Sequence, residues 1–89
     1  MKGETVNLKK MTFQPQDIIQ VTSTGATELK VCIAPDAVTA CTNGGLVAAG
    51  ESQNFYASDL GDIDNNQYLN ITNPDADNDG SYSVVIVES

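Results

Sequence analysis

The chain has no histidine, no arginine and no tryptophan, and each absence removes a class of function. Without histidine the commonest general base is gone, and with it the Ser-His-Asp and Cys-His arrangements and most transition-metal sites. A carboxylate pair or a lysine nucleophile would remain, yet paired carboxylates must face each other across a cleft, and a β domain of 89 residues offers little room for one. The expectation is a protein that is not an enzyme.

Positive charge is scarce as well. Four lysines stand against twelve carboxylates, for a formal net charge of −8. Phosphate binding is driven by clustered Lys and Arg, so nucleic acid is not an expected partner, and anionic membrane surfaces are disfavoured for the same reason. No apolar run approaches the roughly 20 residues of a spanning helix, which argues against membrane insertion. The opening MKGETVNLKKMTF also lacks the apolar stretch of a signal peptide. Two expectations follow: a mature or expressed fragment, or a protein that reaches its place without the secretory route, as a virion component assembled in the cytoplasm would.

What is present is enough for one small folded domain. The apolar content is 40%, and much of it is β-branched, so a core is expected. A domain of this size is marginal unless a disulfide, a metal or a partner subunit supplements it. The charge is uneven. Lys2, Lys9, Lys10 and Lys30 all fall in residues 1–30, whereas residues 31–89 hold nine carboxylates and no basic residue. Residues 1–16 show no clear period, contain Gly3 and Pro15, and are expected to form an extended N-terminal arm, with the domain proper over 17–89. The arm is either a solvated tail or a segment that lies on the acidic body of the next subunit. In the second case Lys2, Lys9 and Lys10 approach carboxylates, while Val6, Leu8, Met11 and Phe13 alternate with more polar neighbours as an added strand requires.

From Asp17 onward the pattern has a period of two. Ile19, Val21 and Ser23 alternate with Gln20 and Thr22, a turn follows at 23–26, and Leu29, Val31 and Ile33 alternate with Glu28, Lys30 and Cys32. Further short strands are expected at 37–41, around 46–48, and over 53–57, 68–72 and 82–87. Polar stretches at 58–66 and 73–80 separate the last three. Six or seven strands at this spacing, with no helix of useful length, predict an all-β antiparallel sandwich. Its expected core is Leu29, Val31, Ile33, Phe55, Leu69, Ile71, Val84 and Ile86. The final strand is apolar on both faces, which suits either a central strand or an edge that meets another chain.

The succession IIQVTSTGATELKVCIA, GGLVAAGESQNF and DGSYSVVIV resembles the immunoglobulin-like sandwich modules of bacterial surface proteins, the adhesion-related CARDB type among them. The likeness spans about residues 18–87 and rests on turn chemistry and alternation. Ser23 stands where that family often has Asn. The resemblance implies an immunoglobulin-like or related sandwich, and for function only a spacer or binding module without one shared ligand.

Two constellations bear on chemistry. Cys32 and Cys41 are separated by eight residues that include Pro35-Asp36, so the flanking segments could return antiparallel and bring the sulfurs together; two buried free thiols are the alternative. The loop Asp75-Ala76-Asp77-Asn78-Asp79-Gly80 reads D-x-D-x-D-G, like the opening of a calcium loop. Ile86 occupies the twelfth position where a bidentate Glu belongs. Asp62 and Asp64 form a second acidic cluster that could supply ligands. Calcium at Asp75, Asp77 and Asp79 therefore competes with plain turn formation by Asp and Asn. The sequence as a whole ranks a structural subunit of a repetitive assembly first, either a virion head-decoration protein or a surface filament or pilus component, sited on a virion or an extracellular surface. An extracellular module that binds calcium or carbohydrate ranks second.

Overall fold

Alternation sets the buried face of each strand. In the computed structural model, which describes residues 2–42 and 44–88, strand β2 (Ile18–Ser23) buries Ile19, Val21 and Ser23 and turns Gln20 to solvent. Strand β3 (Leu29–Ala34) buries Leu29, Val31 and Ile33 against it. The remaining strands are β1 (Thr5–Lys10), β4 (Gly45–Val47), β5 (Ser52–Tyr56), β6 (Tyr68–Thr72) and β7 (Tyr82–Val87). One 3-10 turn over Ala57–Asp59 is the sole helical element among the described residues.

The strands form two antiparallel sheets, ordered β1-β6-β3-β4 and β5-β2-β7. The all-β sandwich expected from the sequence is thus observed. Its strand order is not the immunoglobulin one, in which the first two strands are neighbours in one sheet. Here β1 and β2 lie in different sheets, and of the six connections only β3 to β4 stays within a sheet. Such alternation resembles the winding of a double-sheet jelly roll.

The core lies between the sheets. Ile19, Val21, Leu29, Val31, Val47, Leu69 and Ile71 are fully buried, joined by Phe13, Ile33, Ala57 and Leu60. Five of the eight expected core residues are therefore buried, and Phe55, Val84 and Ile86 pack against the cluster from its margin. Gly45 is required where it stands, because a Cβ there would overlap the Phe55 ring that packs across from β5.

Two expectations are corrected. The expected arm, residues 1–16, is over its described residues 2–16 not apart from the body: β1 pairs with β6, Val6 opposite Ile71, and Phe13 is only 3% exposed. The apolar alternation there serves this chain's own sheet, so no boundary falls at 16/17. Residues 37–41 form no strand. The Asp36 carboxylate accepts hydrogen bonds from the Val38 and Thr39 amides at 3.0 and 2.8 Å and from the Thr39 hydroxyl at 2.7 Å, and these local bonds replace a ladder. Of the two positions that suit the doubly apolar strand β7, central or edge, the structure has the edge. The strand has β2 on one side and no described strand on the other, and Val85 and Val87 are half exposed.

Cys32 and Cys41 are joined in a disulfide with Cα atoms 5.4 Å apart. The staple ties β3 to the loop after it rather than to a second strand. It spans a short segment, and on loop-entropy grounds it stabilises by about 2.5 kcal/mol, a large share for so small a domain.

Candidate assembly surface

The three-stranded sheet turns one face outward, and the register shows what that face presents. Tyr56, Ile18 and Val87 form one cross-strand row, Asn54, Gln20 and Val85 the next, and Ser52, Thr22 and Ser83 the third. The face thus grades from apolar to hydroxylated. At its apolar end Tyr56, Val85 and Val87 are each about half exposed, and a shallow cavity of about 200 Å³ lies beside Ile18, Asn54, Phe55 and Tyr56. On the order of 300 Å² of apolar surface is open there, comparable to the largest patch of an ordinary monomer.

The sheet edges differ in how they are defended. Unpaired strand edges invite another chain, and charge, bulges, shortness or proline normally blunt them. On β1 the register slips between Asn7 and Lys9, and Lys9 and Lys10 follow directly. A bulge with two charges is an effective guard. β4 is only three residues long. β5 is polar through Ser52, Gln53 and Asn54. By contrast β7 runs six residues, YSVVIV, with no charge, no proline and no register slip against β2.

The backbone groups of β7 divide regularly. Just past the ladder the Thr24 amide donates to the Ser81 carbonyl at 3.0 Å, which makes 24 and 81 a hydrogen-bonded pair. In an antiparallel ladder such pairs alternate. Ser83, Val85 and Val87 therefore direct their N–H and C=O toward β2, and Tyr82, Val84 and Ile86 direct theirs outward. The opposite edge agrees, since the Ser23 amide donates to the Glu51 carbonyl at 2.9 Å.

Near the Val87 end the two sheets meet through Lys9, whose Nζ lies 3.8 Å from a carboxylate oxygen of Glu88. Both side chains are solvated, so the pair adds little stability. The Lys10 ammonium sits 5.2 Å from the centroid of the Tyr68 ring on β6. Of the residues expected in an assembly arm, Lys2, Lys9 and Lys10 are exposed, Val6, Leu8 and Met11 are half buried against the core, and Phe13 is buried.

The acidic loop is organised by its own hydrogen bonds. One oxygen of Asp75 accepts the amides of Asp77 at 2.9 Å and Asn78 at 3.2 Å, and the other accepts the Asn78 side-chain amide at 2.9 Å. The Asn78 side chain, then the Asp77 amide, hold the Asp75 pKa below its ordinary value. Asp62 is arranged likewise, its pKa lowered first by the Asn65 side chain. Asn73 closes the acidic loop, its side chain donating to the Asn78 carbonyl at 2.9 Å and accepting from the Asp75 amide at 3.0 Å. Among the described residues no group of three or more carboxylates or thiols is gathered in a form that could hold a metal ion, so Asp75, Asp77 and Asp79 are not brought to a common centre. The Asp62 cluster is likewise held by contacts within its own loop.

The sequence signal that locates this surface is the doubly apolar strand 82–87, whereas the polar face of β5 beside Tyr56 carries none. No helix among the described residues is long and apolar enough to cross a membrane. Comparison with known proteins finds no matching family model, no matching curated protein and no matching solved structure.

Proposed function

We propose that this protein is a non-enzymatic structural subunit of a repetitive assembly, of the kind that decorates a virion or builds a surface filament, and that it associates through the edge of β7. One observation carries the reading: β7 is a six-residue edge strand without charge, proline or bulge, next to a patch of exposed apolar side chains, in a molecule whose β1 edge is guarded. The Cys32–Cys41 disulfide fits an oxidising setting such as a cell exterior or a particle surface.

Mass in solution tests the reading. Light scattering after size exclusion, run from micromolar to millimolar protein, is expected to find dimers or larger species. Val85→Lys places a charge on the open edge and is expected to return the protein to monomers. Asn54→Lys, on the polar strand β5, is expected to leave assembly unchanged. A wild-type chain that stays monomeric throughout would remove the proposal.

A further inference from the structure

We infer that the occupant of the β7 edge is β7 of a second copy, paired antiparallel about a two-fold axis that passes beside Val85, so that two three-stranded sheets become one of six. The inference rests on the assembly reading above and specifies its first contact: a two-fold pairing closes on itself, so the dimer is the unit that a repetitive assembly would repeat.

Three features of the chain lead to this arrangement. The first is hydrogen-bond parity. The outward-facing amides and carbonyls belong to Tyr82, Val84 and Ile86, so a partner strand must oppose even-numbered residues to even-numbered ones. A two-fold centred on Val85 does this over the whole strand: Val84 pairs with Ile86 of the second copy, twice, and Tyr82 falls opposite Glu88. It also keeps the faces in phase, with Val84 and Ile86 toward the cores and Val85 beside its own symmetry mate on the outer face. A shift of one residue would set inward side chains against outward ones.

The second feature is charge. Copies that carry −8 each repel, and they approach most easily where the surface is least acidic. The Val87 end of the edge holds Lys9 3.8 Å from Glu88, whereas the loop leading into Tyr82 holds Asp75, Asp77 and Asp79. Antiparallel pairing brings the acidic loop of each copy toward Lys9 of the other. Parallel pairing would set the two acidic loops side by side. Complementarity therefore selects the two-fold.

The third feature is area. Two apolar patches on the order of 300 Å² fall short of the roughly 1,200 Å² total that a stable specific interface buries, so the apolar face by itself does not hold a dimer. The unpaired amides and carbonyls along β7 favour the edge contact instead, where ladder hydrogen bonds rather than a stacked apolar face join the copies. Only the three-stranded sheets join; the four-stranded sheets end on the bulged strand β1 and do not continue.

Cross-linking through introduced cysteines reads the geometry directly. Opposed residues in a non-hydrogen-bonded antiparallel pair have Cα atoms about 4.5 Å apart, within disulfide range. Val85→Cys is expected to oxidise to a species of twice the mass on a non-reducing gel, while Asn54→Cys is not. The combination Ser83→Cys with Val87→Cys links the same two strands by reciprocal bonds and serves if the single variant folds poorly. Lys9→Glu with Lys10→Glu is expected to weaken dimerisation at least tenfold at low salt, with a smaller loss at 0.5 M salt. Oligomers that form without any Val85 cross-link, or that cross-link through Asn54, overturn the two-fold and leave the assembly role standing. A monomer at every concentration overturns both.

Discussion

The side-chain amide of Asn70, wholly buried in β6, donates to the main-chain carbonyl of Asp36 at 2.8 Å, and also to that of Thr39 at 3.1 Å. One interior amide thus holds the loop that carries the disulfide, while its oxygen accepts from the Asn7 side chain on β1 at 3.1 Å. Asn70→Ala leaves these partners unmatched and is expected to cost about 2 kcal/mol. Urea denaturation should show a lower midpoint at an unchanged slope; an unmoved midpoint would mean the loop stands without the amide.

Phe13 lies outside every strand yet is 3% exposed and belongs to the core cluster. Phe13→Ala is expected to destabilise by roughly 3–5 kcal/mol through lost burial and the cavity left behind. A chain beginning at Pro15 loses β1 as well and uncovers the β6 edge, so it is expected not to fold. Native circular dichroism and a cooperative melt from that shortened chain would contradict the placement of β1.

The disulfide gives a third expectation. Titration of the denatured, unreduced protein should find no free thiol. Cys32→Ser with Cys41→Ser should lose about 2.5 kcal/mol, the amount expected for so short a loop. A far smaller loss would indicate that the Asn70 contacts already order the loop.

Acid should weaken the fold in a defined window. The carboxyl of Asp36 is held below its ordinary pKa of 3.8, first by the Thr39 hydroxyl and then by the Val38 amide, and those of Asp62 and Asp75 are lowered by Asn65 and Asn78. A depressed folded-state pKa contributes stability that is present above the unfolded value and is lost as pH falls through the folded one. The melting temperature is therefore expected to be flat from pH 7 to about 5 and to drop below pH 4. Asp36→Asn should flatten part of that drop.

Period-two alternation made β2, β3, β6 and β7 legible, because a buried face repeats every second residue along a strand. It also marked Val6 and Leu8 as strand-forming, but alternation says which face is apolar and not which chain covers it. The lysines after them suggested a separate arm, whereas Lys9 and Lys10 are the guards of an edge strand. Leu60 was invisible among the polar residues of 58–66. It is buried because the Ile33 amide donates to its carbonyl at 2.9 Å and draws that turn over the core. At the Asp75 loop the D-x-D-x-D-G spacing leaves turn formation and calcium both open, and the structure adds the local hydrogen bonds of Asp75 with Asp77 and Asn78. Whether three alternating carboxylates converge depends on where their own side chains bond, and spacing cannot specify that.

The habit of crossing between sheets has a kinetic consequence. Five of the six connections carry the chain to the opposite sheet, so almost every native contact waits for a distant segment to arrive. Loop closure must precede reward, and domains wound this way fold on the order of milliseconds to seconds rather than microseconds. The exception is the β3–β4 hairpin, and the Cys32–Cys41 bond lies inside it. The covalent link therefore closes within the one stretch that can form early. Until the last strand docks on β2, both edges of YSVVIV are open, and a chain crowded among its own copies meets competing partners for that strand before it is native.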